Sequence, residues 1–247
     1  MKRFVKTPSL PDDRVSTVIV SGIKDYIVSE LDNLGISVIQ SKELSMISGS
    51  ERHHADMSFC HAGGEHIFAA CNTDEKVRKR LLDEGAKLHI TDSPVTAAAP
   101  LLNIRILGTK VLCNTKTADR ELIELQKEKG SEILHTNQGY TACSTAVISS
   151  NALITADESI YRLCINSGID VLKISCGSIE LEGYPYGFIG GCCGLISGDT
   201  LAFSGNIRMH PDYDNIRAFA RQYGKELLSL SDKPLYDIGG IIPLLMY

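Results

Sequence analysis

The densest group of polar side chains in the sequence spans residues 52–61 and leads into an apolar segment. If this stretch is extended, alternate residues share a face, so His54 and Asp56 point the same way and His61 points away. An imidazole held beside a carboxylate can move protons near neutral pH. A metal site of His54, Asp56 and His61 is a sharper alternative, since these are common metal ligands, although the orientation of His61 argues against it. A purely structural cluster is the third interpretation.

A cysteine at a predicted strand start supplies a candidate nucleophile. Cys143 ends the loop at residues 137–142, which contains Gly139, and a thiolate in such a place can be activated by a nearby histidine. Cys192 and Cys193 stand at the corresponding strand start one repeat later and are alternative nucleophiles. Most of the eight cysteines lie in apolar segments, so a buried structural thiol is the competing interpretation for each of them.

Four further polar residues are candidates for binding a substrate. Asn103 and Asp237 stand at predicted strand starts, and an aspartate there could hold a cationic group. Glu180 and Glu182 lie in a glycine- and tyrosine-rich loop at residues 177–191, which is typical of a pocket wall or a lid. The alternatives are ordinary turn chemistry for Asp237, which precedes two glycines, and a surface connection for the loop.

The elements that must position these residues repeat five times. Each repeat has a polar stretch of helix length, a glycine, two residues and an apolar residue that opens a short strand. The glycines are Gly35, Gly85, Gly130, Gly168 and Gly224, and the apolar positions are Val38, Leu88, Ile133, Val171 and Leu227. A glycine after a helix suits the left-handed conformation that ends it. Predicted hairpins precede the last four helices, with turns at residues 63–64, 108–109, 150–151 and 198–199.

The two chain ends complete one another in this scheme. The first repeat has a single strand before its helix, and the missing strand is predicted at residues 239–247. Pairing of the ends would close the five ββαβ units into a ring and remove exposed sheet edges. We therefore predict one α/β domain over residues 1–247. A Rossmann-type sheet is disfavoured because no glycine-rich GxGxxG turn follows the first strand.

Composition narrows the classes of partner and compartment. The net charge is −5, which argues against general nucleic-acid binding. No apolar run approaches the roughly 18 residues of a membrane span, and the first residues lack the apolar core of a secretory signal. Eight cysteines without a CxxC pair favour reduced thiols. The sequence thus predicts a cytoplasmic protein that binds neither nucleic acid nor membrane, and it leaves open whether the chain forms a homodimer.

The repeats and two motifs together resemble the pentein superfamily, the guanidino-group-modifying enzymes. His54-Ala-Asp56 resembles the family's HxD motif, and residues 139–145, GYTACST, are similar to its nucleophile loop. The family's loop usually has a glycine pair, where this sequence has Gln138 and Gly139. The resemblance implies a five-bladed β/α-propeller closed by the C-terminal strand. It also implies a nucleophilic Cys143, a proton-transferring His54, an Asp56 that grips the guanidinium, and no cofactor.

These observations predict a cysteine-dependent hydrolase or amidinotransferase acting on a guanidine or amidine C–N bond of a small molecule. One alternative is a non-catalytic propeller that binds a small molecule or a protein, as some members of the superfamily do. The other is a metal-dependent hydrolase built on the histidine-rich segment.

Overall fold

The computed structural model describes residues 2–247, which form six helices and five small sheets. The helices are α1 (Asp25–Asn33), α2 (Ala55–Ser58), α3 (Glu75–Asp83), α4 (Arg120–Glu128), α5 (Glu158–Asn166) and α6 (Tyr213–Gln222). Each helix except the single-turn α2 connects the second strand of an antiparallel pair to the parallel strand that completes the same sheet. Within residues 2–247 no helix is long and apolar enough to cross a membrane.

The first sheet contains both ends of the chain. Its strand order is β1-β16-β2-β3, with β1 at Arg3–Phe4, β16 at Ile242–Met246, β2 at Val15–Ser21 and β3 at Ser37–Ser41. β16 is antiparallel to β2, and β3 is parallel to β2. The expectation that the C-terminal strand completes the first repeat is therefore confirmed.

The other four sheets have three strands each and share one topology, an antiparallel hairpin followed by a strand parallel to its second member. They are β4 (Phe59–Gly63), β5 (His66–Ala69) and β6 (Lys87–Ile90); β7 (Arg105–Leu107), β8 (Lys110–Cys113) and β9 (Glu132–His135); β10 (Thr145–Ser149), β11 (Ala152–Thr155) and β12 (Asp170–Lys173); and β13 (Cys193–Leu195), β14 (Thr200–Phe203) and β15 (Glu226–Ser229).

The repeat read from the sequence has a structural counterpart at both of its marker positions. The five glycines that follow the long helices all have a positive φ, between 66° and 91°, which a side chain with a Cβ would oppose. The five apolar markers occupy the second position of their strands, where each is paired with an apolar residue of the parallel neighbour. The mixed α/β fold and its five units are confirmed.

Side-chain packing, rather than hydrogen bonding, joins neighbouring units. Phe59 and Ile67 of the second unit are fully buried in one cluster with Ile19 and Leu244 of the first. Across residues 2–247 no ladder of strands runs from one sheet into the next, so the five sheets do not merge into a single closed sheet.

The segment that carries His54 and Asp56 is not extended, contrary to the expectation from its polar alternation. It forms a 3₁₀ turn at Ser50–His53 followed by α2, and the strand begins only at Phe59. The amides of Met57 and Ser58 both bond back to the carbonyl of His54, at 3.3 Å. Because Asp56 lies in a helical turn, the alternation of side chains that holds for an extended strand does not determine its direction.

A candidate active site at the strand starts

Five buried polar side chains meet where the innermost strands of the units begin. They come from the loops that precede β4, β7, β10 and β16, and they are His54, Asp56, Asn103, Cys143 and Asp237. Each side chain is at least nine-tenths buried. Residues from separate units thus form one cluster.

Cys143 is held at the centre of this cluster. Its Sγ donates a hydrogen bond to Asp56 Oδ2 at 2.8 Å and lies 3.9 Å from His54 Nδ1. Asn103 donates to the sulfur from Nδ2 at 3.3 Å. The carbonyl oxygen of the same amide accepts from the backbone N–H groups of Ala142 and Cys143, at 2.8 and 3.2 Å. Asn103 therefore fixes the nucleophile loop as well as the sulfur, and the substrate-binding role expected for it stays a prediction.

Asp237 lies behind His54. Its Oδ1 is 3.6 Å from His54 Nε2, and its two oxygens accept from the backbone N–H groups of Phe188 and Gly239, at 2.9 and 3.0 Å. Two backbone amides therefore hold the carboxylate with one oxygen facing the imidazole ring. The contact of Asp237 with a cationic substrate stays a prediction, and in the structure its side chain faces the histidine.

Burial and negative charge hold the proton on Cys143. The pKa of the thiol is raised well above its ordinary value, first by burial and then by the charges of Asp56 and Asp237. Burial also raises the pKa of Asp56 to about 6, an effect that His54 opposes. Asp56 Oδ1 and His54 Nε2 have no hydrogen-bond partner in the described part of the chain. Unpaired buried polar atoms are costly, and Asp56 Oδ1 is therefore an atom to which a ligand can donate a hydrogen bond.

Arg105, which was not predicted from the sequence, supports the nucleophile loop through hydrogen bonds. Its guanidinium donates to the carbonyl oxygens of Ala142 and Thr145, at 2.5 and 2.8 Å, and to Thr145 Oγ1 at 2.9 Å. A further bond reaches Ser9 Oγ at 3.1 Å, in the N-terminal segment. An arginine at the start of the apolar strand sequence RIL was the available signal, since such a charge needs partners.

The alternative nucleophiles lie near this cluster without joining it. Cys192 and Cys193 are buried, and both sulfurs donate to the carbonyl oxygen of Ile189 at 3.2 Å. Burial raises the pKa of both thiols, to about 12 for Cys193. Gly191, immediately before them, donates its N–H to the carbonyl oxygen of Cys143 at 2.9 Å. The structure therefore brings Cys143, and neither of these two, against His54 and Asp56.

The two glutamates proposed as substrate ligands are exposed and lie outside the buried cluster. The backbone of Glu180 pairs with that of Tyr236, and the carbonyl oxygen of Glu182 accepts from Ser50 Oγ. Their loop does reach the site, but through other groups. Tyr184 donates its hydroxyl to Oε1 of the buried Glu51 at 2.7 Å. Glu51 was also missed, since nothing in its sequence neighbourhood distinguishes it from the exposed acids.

The ligand set expected for a metal does not come together as predicted. His61 bonds through Nε2 to the carbonyl oxygen of Gly64 at 2.8 Å, and burial lowers the pKa of His61 to about 4. In residues 2–247 the one group able to hold a metal ion is instead His54, Asp56 and Cys143, whose ligand atoms lie within 4.8 Å of one another. Any metal in this site would displace the contact between thiol and carboxylate.

We expect Gly239→Ala to destabilise the protein by about 2–5 kcal/mol, because two costs add. Gly239 has a φ of 73°, which penalises a Cβ, and that Cβ would lie 2.4 Å from His54 Cβ. Gly64→Ala is the matched control, since Gly64 has a φ of 62° with open space around it, and should cost only about 1 kcal/mol. Urea denaturation of both variants measures the difference, and equal losses would contradict this close contact with the histidine.

Solved structures that superpose on the chain include an amidinotransferase, an agmatine deiminase and a dimethylarginine dimethylaminohydrolase. The amidinotransferase SxtG of Microseira wollei superposes with a TM-score of 0.59 at 10% identity, over 92% of each chain. Agmatine deiminase of C. jejuni gives 0.57 at 10% identity, over 94% of this chain and 90% of that one. Dimethylarginine dimethylaminohydrolase (DDAH) of Pseudomonas aeruginosa gives 0.53 at 10% identity, over 88% and 92%. The chain therefore has the fold of the pentein superfamily.

Within that fold the chain belongs to a family of unknown function (DUF6873), whose model matches residues 18–242. The matched region includes all five residues of the buried cluster. No curated protein sequence matches the chain.

Proposed function

We propose that the protein is a cysteine-dependent enzyme that cleaves or transfers at a C–N bond of a guanidine or amidine. One observation carries the proposal. The thiol of Cys143 meets His54 and Asp56, which lie 89 and 87 residues earlier in the chain and in a different unit. A nucleophile, a base and an acceptor for N–H groups in one buried site are the components that such a reaction requires.

In the first step the guanidinium binds with its N–H groups directed at Asp56, whose Oδ1 is free to accept. The positive charge of the substrate offsets the negative charge that raises the pKa of Cys143. His54 accepts the proton of the thiol as the sulfur attacks the central carbon, forming the S–C bond. The C–N bond to the leaving amine then breaks, and His54 delivers a proton to that nitrogen.

In the second step the S-amidino intermediate is released from the sulfur. His54, now neutral, accepts a proton from water, and the resulting hydroxide forms a C–O bond as the S–C bond breaks. The products are a urea, the free amine or ammonia, and the regenerated Cys143. If an amine replaces water as the acceptor, the same two steps amount to amidino transfer. Asp237 would hold the imidazole through both proton transfers.

We further propose how the five units are arranged and which class of molecule is the substrate. The five units would surround the site as a closed ring, in a single domain over residues 1–247. A small guanidine-like molecule would be the substrate, and no cofactor takes part in either step.

Chloroacetamidine, a cationic amidine that alkylates thiols, tests the proposal. We expect it to modify Cys143 stoichiometrically at pH 7, as peptide mass mapping would reveal, and to leave Cys192 and Cys193 unmodified. Because His54 and Asp56 act on the thiol and the bound cation, His54→Ala should slow the modification on the order of a hundredfold. Slow, uniform labelling of many cysteines would sink the proposal and favour a non-catalytic binding protein.

A metal-dependent hydrolase is the second candidate, and the ligand set of His54, Asp56 and Cys143 favours it. Tight binding of one zinc ion would abolish labelling of Cys143, since the metal and the alkylating reagent need the same sulfur. Hydrolysis of a guanidine that requires this zinc, and is lost with a chelator, would support the metal mechanism. Hydrolysis that zinc inhibits would support the cysteine mechanism.

A further inference from the structure

A second acidic side chain lies beside the cluster with half of its carboxylate unused. Glu51 belongs to the 3₁₀ turn at Ser50–His53 and is 5% exposed. Its Oε1 accepts the hydroxyl of Tyr184, at 2.7 Å. Its Oε2 is buried and has no hydrogen-bond partner in residues 2–247. A buried carboxylate oxygen without a donor is costly, so this atom points to a group that the free protein lacks.

The position of Glu51 joins it to the site of Cys143. The carbonyl oxygen of Glu51 accepts the backbone N–H of His54 at 3.0 Å, so the two residues are one turn apart. Tyr140 stands three residues before Cys143 in the chain. The pKa of its hydroxyl is raised first by burial, then by the charge of Glu51 and then by that of Cys143. Glu51 is therefore linked to the site through the backbone of His54, and the charges of Glu51 and Cys143 both act on Tyr140.

The absence of a side chain at Gly49 leaves room for Oε2 of Glu51. A Cβ at this residue would lie 2.2 Å from Glu51 Oε2 and 2.6 Å from the Tyr184 hydroxyl. The backbone of Gly49 has a φ of −83° and a ψ of 178°, which any residue adopts. Space, and not conformation, thus demands a glycine here.

The loop that supplies Tyr184 also reaches the catalytic cluster. Its Phe188 donates a backbone N–H to Asp237 Oδ2, and Ser50 Oγ donates to the carbonyl oxygen of Glu182. The same loop therefore covers Glu51 at one end and supports the acid behind His54 at the other. A substrate bound at Cys143 would extend beneath this loop toward Glu51.

We propose that Glu51 and Tyr184 form a second subsite, which binds an ammonium or a second guanidinium on the tail of the substrate. The inference rests on the proposed function and narrows it to dicationic guanidines. A cation suits the site because it can donate N–H groups to Oε2 while balancing the charge of Glu51. The nearest arginine, Arg52, is turned outward, 40% exposed and 3.5 Å from the exposed Glu43, so it leaves the buried carboxylate unpaired.

Calorimetric titration of the Cys143→Ala protein tests the subsite without turnover. The probes are alkylguanidines and the matching aminoalkylguanidines, with chains of two to five methylene groups. We expect at least one aminoalkylguanidine to bind on the order of tenfold to a hundredfold more tightly than its neutral counterpart. Glu51→Gln should remove this preference and leave the affinity for the neutral compound unchanged.

Two further variants separate a specific subsite from a change in overall charge. Glu43→Gln removes the same charge from an exposed position eight residues away and should preserve the preference for the amine. Gly49→Ala should weaken it, because the added Cβ displaces the carboxylate oxygen. Circular dichroism of each variant verifies the fold, and retained affinity for the neutral guanidine shows that the Cys143 site is intact.

The outcomes distinguish the two proposals. If neutral and ammonium-bearing guanidines bind with equal affinity, the subsite is refuted while the proposed function stands. Tighter binding of a guanidino acid with a carboxylate tail would also refute it. If no guanidine binds at all, the proposed function fails and the subsite fails with it.

Discussion

Cys143 is expected to react with chloroacetamidine on the order of a hundredfold faster than with the neutral chloroacetamide at pH 7. Both rates are to be divided by those of a free thiol, which removes the intrinsic difference between the reagents. The reason lies in the charges around the sulfur. Burial, Asp56 and Asp237 raise the pKa of the thiol, and a cation bound at Asp56 offsets two of those three effects.

The exposed Cys176 provides an internal control for this comparison. It lies outside the acidic cluster, so its normalised rates with the two reagents should agree within a few-fold. The rate of Cys143 with chloroacetamide should keep rising as the pH passes 9, because the pKa of this thiol is above its ordinary value. A normalised ratio near one at Cys143 would contradict activation by a cationic substrate.

The second large effect concerns Asp56, where function and stability should move in opposite directions. Asp56→Asn should slow alkylation of Cys143 by chloroacetamidine by about a hundredfold, since the amide carries no charge to hold the cation. The same substitution should stabilise the folded protein at pH 7 by up to about 3 kcal/mol. Urea denaturation and the labelling rate measure the two effects on one preparation.

The sign of the stability effect follows from the raised pKa of Asp56, about 6 instead of 3.8. Between these values the folded protein holds a proton that the unfolded chain has released. The free energy of unfolding therefore falls as the pH rises through this window, and it stays lower above it. In Asp56→Asn that decline should disappear, so the gain should be largest above pH 6 and small near pH 4.

Asp92→Asn is the matched control for this experiment. Asp92 is exposed in a loop of the same chain, so its substitution should change stability by no more than about 0.5 kcal/mol. If Asp56→Asn destabilises the protein at pH 7, the carboxylate is instead a net stabilising partner of His54 and Cys143. Such a result would contradict the inference that the buried charge of Asp56 destabilises the free protein.

The sequence determined the repeated units because their signals are local. A glycine with a positive φ follows each long helix, and an apolar residue takes the second position of each parallel strand, so both recur at predictable positions. The motifs around His54 and Cys143 are also short enough to be read directly, and the structure brings their side chains to within 3.9 Å of each other. Pairing of the two chain ends followed from counting strands.

The tertiary structure alone decided how the site is built around those motifs. The position of Asp56 is set by a helical turn. The backbone N–H of Asp56 helps to hold this turn by bonding to the carbonyl oxygen of Gly239, which is distant in the chain, at 3.2 Å. Arg105 and Glu51 find their partners in loops that are distant in the chain. Glu180 and Glu182 are exposed, and their role in binding a substrate stays a prediction. Contacts between residues far apart in the chain depend on packing, which no local pattern encodes.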